Sequence, residues 1–116
     1  MSDLTQQIVN LQHLVDATSM RHRVVAQNIA NVNTPGYHRL DVTFDQAFAQ
    51  ELESKGILGS MDGKIEVDDV SVERKDGNNV DIDREMADLN RNAVMHQTFL
   101  QLIAGRLNTM RNAIRG

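Results

Sequence analysis

The 116-residue chain contains no cysteine and no tryptophan. Without thiols it forms neither a disulfide nor a thiolate metal site, and it suits either redox compartment. Proline occurs once, at Pro35, and the aromatic residues are confined to Tyr37, Phe44, Phe48 and Phe99. Large core anchors are therefore scarce, and a globule built from this chain would be thin. No apolar run is long enough to span a membrane. The opening stretch MSDLTQQIVNLQHL carries an acid at Asp3 and has no apolar h-region, so a cleavable secretory signal is not expected. The net charge is −4 with the signs mixed along the chain, which argues against a nucleic-acid surface.

Catalytic signatures are missing too. There is no nucleophile elbow, no glycine-rich phosphate loop and no paired acid/base constellation, so no enzyme and no cofactor are expected. The stretch DGNNVDIDRE resembles a calcium loop. However, Asp81 stands where the loop glycine belongs and Val80 where a ligand belongs. His13, His22, His38 and His96 are scattered along the chain. His22 and His96 fall on two apolar stripes at comparable depth, where hydrogen bonding inside a packed seam is a better reading than metal ligation.

What is present is periodicity. Leu4, Ile8, Leu11, Val15, Thr18, His22, Val25, Ile29 and Val32 follow steps of four and three without a break. That is a heptad seam, and it predicts one amphipathic helix of about 29 residues, about 43 Å long. The pattern returns at Ile82, Met86, Leu89, Ala93, His96, Leu100, Ile103, Leu107, Met110 and Ile114. Val94, Phe99 and Leu102 widen this second stripe, so its helix has room for more than one neighbour. Asp81 and Asp83 suit its N-terminus, and Arg106, Arg111 and Arg115 its C-terminus. The expected fold is mainly α: two long terminal helices packing as a coiled coil around a small irregular or β middle segment. The expected division is residues 1–34, 35–80 and 81–116. Burial against one short partner face is a small return for ordering helices this long, so the seams read as faces for other subunits ahead of simple self-packing.

In the middle, Thr43 and Gln46 form a capping-box pattern that opens a short helix over residues 44–54, closed by Gly56. Alternation predicts two short strands, residues 64–67 and 70–74, and KDGNN is turn chemistry. The first helix ends in NIANVNTPGY. Pro35 presets the first central position of a tight turn, and Gly36 supplies the positive φ of a type II second position. Asn31 and Asn33 are placed to bond the last helix carbonyls or a neighbouring subunit.

This decapeptide closing a long N-terminal helix resembles the motif of the flagellar axial proteins, the family that builds the rod and hook. DGNNVDIDREMADLNRNAVMHQTFLQLIAGRLNTMRNAI is similar to the C-terminal signature of its proximal rod subunits. The resemblance covers about residues 5–48 and 76–114. It implies a non-enzymatic building block, exported through the flagellar type III apparatus and stacked helically between the two membranes as part of the drive shaft. Its terminal helices would form the inner layer. The implied seams are Leu4, Ile8, Leu11, Val15, Val25, Ile29 and Val32 in the first helix. In the second they are Met86, Leu89, Leu100, Ile103, Leu107, Met110 and Ile114. The family's turn falls on Asn28, Asn31, Thr34, Pro35, Gly36 and Tyr37. Phe44 and Phe48 fit the spacing of the family's export-gate motif, with anchoring of the short helix as the competing role. The implied partners are further copies, rod subunits of the FlgC type, the basal-body adaptor FliE and the export gate. The alternatives are a different rod subunit, such as the FlgC type, or a soluble helical adaptor or chaperone that does not polymerise. A metal enzyme would require zinc on His22 and His96.

Overall fold

The computed structural model describes residues 2–43 and 64–116. Helix α1, Ser2–Ala30, carries Asp3 in its first turn, where an acid complements the helix dipole. Helix α2, Ile82–Arg115, opens on Asp81, whose carboxylate accepts from the Asp83 and Arg84 amides at 3.0 and 3.4 Å. Asp83 and Glu85 occupy its first turn and Arg115 its last, so both ends match the dipole. At about 1.5 Å per residue the helices are about 43 and 51 Å long. They account for the elongated shape, 65 × 26 × 14 Å.

The helices pack antiparallel: Asn28 of α1 meets Glu85 at the start of α2, and Thr18 meets Asn92 and His96 further along. The first seam follows the heptad except at His22, which is exposed. Ile8 and Val25 are buried, and Leu4, Leu11, Val15 and Ile29 are half-buried. Val32 is half-buried as well but lies beyond the helix, because α1 ends at Ala30 rather than Val32.

The second seam needs a correction. Leu89, His96, Ile103 and Met110 are partly covered, but Met86, Leu100, Leu107 and Ile114 are exposed. One residue before Met86, Ala93 and Leu100, the inward places are taken by Glu85, Asn92 and Phe99, the first two fully covered and the third half-buried, whereas Arg106 and Ala113, before Leu107 and Ile114, are exposed as well. Apolar periodicity cannot see this offset, because two of the three inward residues are polar. The outcome is a helix with an uncovered apolar flank.

Beside the helix ends lies a two-stranded antiparallel ribbon, β1 (Leu40–Thr43) with β2 (Lys64–Val67), in the register Leu40↔Val67 to Thr43↔Lys64. Only Val42 of β1 is buried, and β2 is exposed throughout. The expected strand over residues 64–67 is present, but residues 70–74 form no strand. Asp68 stops the ladder: its carboxylate accepts from the Val70 and Ser71 amides, both at 3.0 Å, and bends the chain. The alternation of VSVERK reflects exposed valines, not a half-buried sheet face. The short helix expected over residues 44–54 lies outside the described residues.

Candidate functional site

The end of α1 is closed by its own sequence. The Asn31 amide donates to the carbonyls of Gln27 and Asn28, and its side chain donates to Gln27 at 2.8 Å. Thr34 donates to the Asn31 side chain at 3.1 Å. The Tyr37 amide then reaches back to the Thr34 carbonyl at 3.2 Å, with Gly36 at φ +74°. A turn with proline first and a positive-φ glycine second is type II, as the sequence predicts. The turn docks on a second one. The Gly36 amide donates to the Asp76 carbonyl at 2.8 Å, and Gly77, at φ +83°, lies so close that a Cβ there would sit 3.4 Å from the Gly36 Cα. Pro-Gly and Asp-Gly therefore meet backbone to backbone.

Asn28 is the centre of this corner and has no exposed surface. Its Nδ2 donates to the Leu40 carbonyl at 2.8 Å and to Glu85 Oε2 at 3.2 Å. Its Oδ1 accepts from the Leu40 amide at 2.8 Å and the Tyr37 hydroxyl at 2.9 Å. The side-chain amide thus stands in for a neighbouring strand along β1 while also holding the start of α2. Three of these bonds tie the helix end to the chain just beyond the turn, and the fourth, to Glu85, spans 57 residues.

Glu85, wholly buried, is neutralised by Arg39, whose Nε donates to its Oε1 at 2.7 Å. Arg39 Nη1 donates to Asp68 at 2.9 Å. Burial pulls the Arg39 pKa down, but the hydrogen bonds to Glu85 and Asp68 outweigh it and leave it raised. The Ser71 hydroxyl, ahead of the opposing effect of desolvation, holds Asp68 well below the usual carboxylate range, with Arg39 assisting. Tyr37 is pushed up by burial and then by the Glu85 charge. A buried pair of this kind adds little net stability but penalises any arrangement that separates its members. It fixes register.

The NN pair of KDGNN completes the joint. Asn78 donates to the carbonyls of Asn31 and Thr34 at 2.9 and 2.8 Å. Asn79 accepts from the Arg39 amide and donates to the Asp68 carbonyl. Arg74 donates to the carbonyls of Val80 and Val32. The two stretches that carry the family resemblance, 47 residues apart at Asn31 and Asn78, are therefore one hydrogen-bonded unit.

Of the turn residues singled out in the sequence, Asn28, Asn31, Thr34, Gly36 and Tyr37 converge here, with Pro35 setting the turn. Arg39, Asn78, Asn79 and Glu85 are site residues that apolar periodicity did not reveal. The clue was a polar cluster next to conformationally special residues. Phe44 and Phe48 lie outside the described residues. His22 and His96 line one groove between the helices, and Thr18 shares a 2.8 Å hydrogen bond with His96 Nδ1. Because the Thr18 hydroxyl donates to the Val15 carbonyl, also at 2.8 Å, His96 is the donor to Thr18. Among the described residues no cluster of three or more histidines and carboxylates could hold a metal ion. The buried polar groups of the corner are engaged with one another, which suits a mechanical joint.

The corner's sequence is also what known proteins share with this chain. The model of the family described as "Flagella basal body rod protein" matches residues 16–38, the end of α1 and the turn. The chain is similar to the flagellar basal body rod protein FlgB of Borrelia hermsii, 34% identical over 92% of this chain and 95% of that one. It is 30% identical to the FlgB of Aquifex aeolicus over 93% of each chain. With the FlgB of Bacillus subtilis it shares 25% identity over 100% of this chain and 98% of the relative. A helical adaptor or a different type of rod subunit is disfavoured by these full-length matches. The chain belongs to the FlgB family of flagellar basal body rod proteins and is a structural subunit of the rod.

Proposed function

We propose that the chain is a proximal rod subunit that polymerises through its terminal helices into the shaft transmitting torque across the periplasm. The observation that carries this reading is the uncovered face of α2. Met86, Leu100, Leu107 and Ile114 are exposed on one flank, and Met95 and Leu102 on the other. A row of large apolar side chains along a helix is costly to leave in water and marks an interaction surface. On this reading the first seam holds α1 to α2 within the subunit, and the second serves both that contact and the neighbours. The corner sets the angle at which the helices leave the middle segment, so residues 1–34, 35–80 and 81–116 act as inner helix, outer segment and inner helix.

The partners are further copies, rod subunits of the FlgC type and the basal-body adaptor FliE. Delivery runs through the flagellar type III export gate without a cleaved signal, with Phe44 and Phe48 as the candidate gate motif. The test is Leu107→Asp, which adds a charge to a position already in water. It should leave the subunit folded and exported but block its incorporation into basal bodies, and with it motility. Normal rods in this variant would overturn the reading.

A further inference from the structure

Residues 68–74 spend many hydrogen bonds on an unusual result. Val70 and Val72 are 95% and 90% exposed, yet the backbone carrying them is fixed. Asp68 accepts from the Val70 amide, the Ser71 amide and the Ser71 hydroxyl, the last at 2.6 Å. His38 bridges Asp69 and Glu73 from its two ring nitrogens, each at 2.8 Å, and so clamps the segment on both sides of the valines. Arg84 at the start of α2 donates to Ser71 at 3.5 Å, and Asn79 donates to the Asp68 carbonyl. Two apolar side chains are thus held out on a rigid, acid-flanked tip.

The same chain carries a groove of matching chemistry. Between α1 and α2 lies a cavity of about 790 Å³ with Ala93, Leu100 and Ala104 on one wall and His22 and Arg23 on the other. Its rim is polar, but Ala93, Leu100 and Ala104 give it an apolar strip along α2, and its one fully charged side chain, Arg23, is opposite in sign to Asp69 and Glu73. The tip is fastened at Arg84, whereas the groove is centred near Gln97, about 20 Å further along α2. A rigid corner cannot fold its own tip back over that distance. The occupant must therefore come from another molecule.

We propose that the Val70–Val72 tip of one subunit docks into the α1/α2 groove of a second copy, with Asp69 and Glu73 beside His22 and Arg23. The inference rests on the rod reading and names what covers part of the uncovered flank. A knob and a hole displaced by about 20 Å along one molecule form a head-to-tail contact, which propagates as a staggered array wherever the rotation between copies does not close a ring.

Because the chain has no cysteine, single-cysteine variants report the contact without background. Cells co-expressing the Val72→Cys and Ala104→Cys chains should yield a disulfide-linked dimer in isolated basal bodies. Val72→Cys paired with Glu66→Cys, an exposed position on β2 that does not line the groove, should not. A second arm needs no cysteine: Arg23→Glu should lower incorporation into basal bodies several-fold, whereas Arg23→Lys should preserve it. Both chains present in basal bodies with no 72–104 dimer would overturn the docking and leave the rod reading standing. So would a disulfide to a different protein in place of the dimer, equal yields with the control pair, or indifference to Arg23→Glu. Absence of the unmodified chain from basal bodies would overturn the rod reading itself and the docking with it.

Discussion

Replacing Asn28 by alanine removes four hydrogen bonds at a position with no solvent exposure. Neutral bonds contribute about 1 kcal/mol each and one to a charged partner about 1.5–3 kcal/mol. Leu40 and Tyr37 are only half-buried, so water can rescue part of what they lose, but the Glu85 oxygen is sealed in. We expect a loss of about 3–5 kcal/mol, a large share of the roughly 5–15 kcal/mol that holds a domain together. Tyr37, the only tyrosine in a chain without tryptophan, donates its hydroxyl to Asn28, so its fluorescence follows the corner directly through urea unfolding. Asn28→Asp sharpens the test. It keeps the acceptor but replaces the donor with a second carboxylate against Glu85. Burial and that like charge raise the folded-state pKa of the introduced group, so its penalty is present at neutral pH and shrinks as pH falls and the proton restores a donor. A shift below about 1 kcal/mol for Asn28→Ala, or a pH-independent defect for Asn28→Asp, would refute the account of the corner.

Gly36→Val should cost about 1–3 kcal/mol of backbone strain, because φ is +74° although a Cβ there meets nothing within 4 Å. Comparison of secreted with rod-incorporated protein should show export intact and assembly reduced, and Pro35→Ala should be milder, at about 0.4–1 kcal/mol. The hydrogen bond to Asp69, opposed by desolvation and helped by Glu73, raises the His38 pKa. The clamp is therefore fully formed below the ordinary imidazole value of about 6.5 and is lost as pH rises through the raised folded value. An NMR titration of His38 should place its midpoint above the ordinary value, and Asp69→Asn and Glu73→Gln should each lower it. Ile103→Asp, at a half-buried position facing α1, should destabilise the free subunit in urea, whereas Leu107→Asp should not.

The helices were legible because their apolar residues recur at steps of four and three, and Asp81 announced the start of α2 by a cap that the structure contains. The type II turn was legible for a similar reason: only glycine adopts φ +74° without strain, so Pro35-Gly36 left little choice. The strand β1 was not. LDVT is four residues long, shows one buried side chain, and is held on its inner side by an asparagine rather than by another strand. Residues 70–74 were misread because alternation signals a strand only when one face is covered, and here neither valine is. The polar centre of the corner was hidden for a different reason. Glu85 and Asn92 look like solvent positions in sequence; Arg39 and Asn28 make burial of the Glu85 carboxylate tolerable, while Asn92 is held by its Nδ2 bond to the Thr18 carbonyl.

The central claim is that the uncovered flank of α2 becomes an interface when the subunit enters the rod. Leu107→Cys places a lone thiol on that flank, where the side chain is 47% exposed. Labelling with a maleimide should be fast on the free chain and strongly suppressed on the same chain in isolated basal bodies. Equal labelling rates in both, with the variant shown to be incorporated, would contradict the claim.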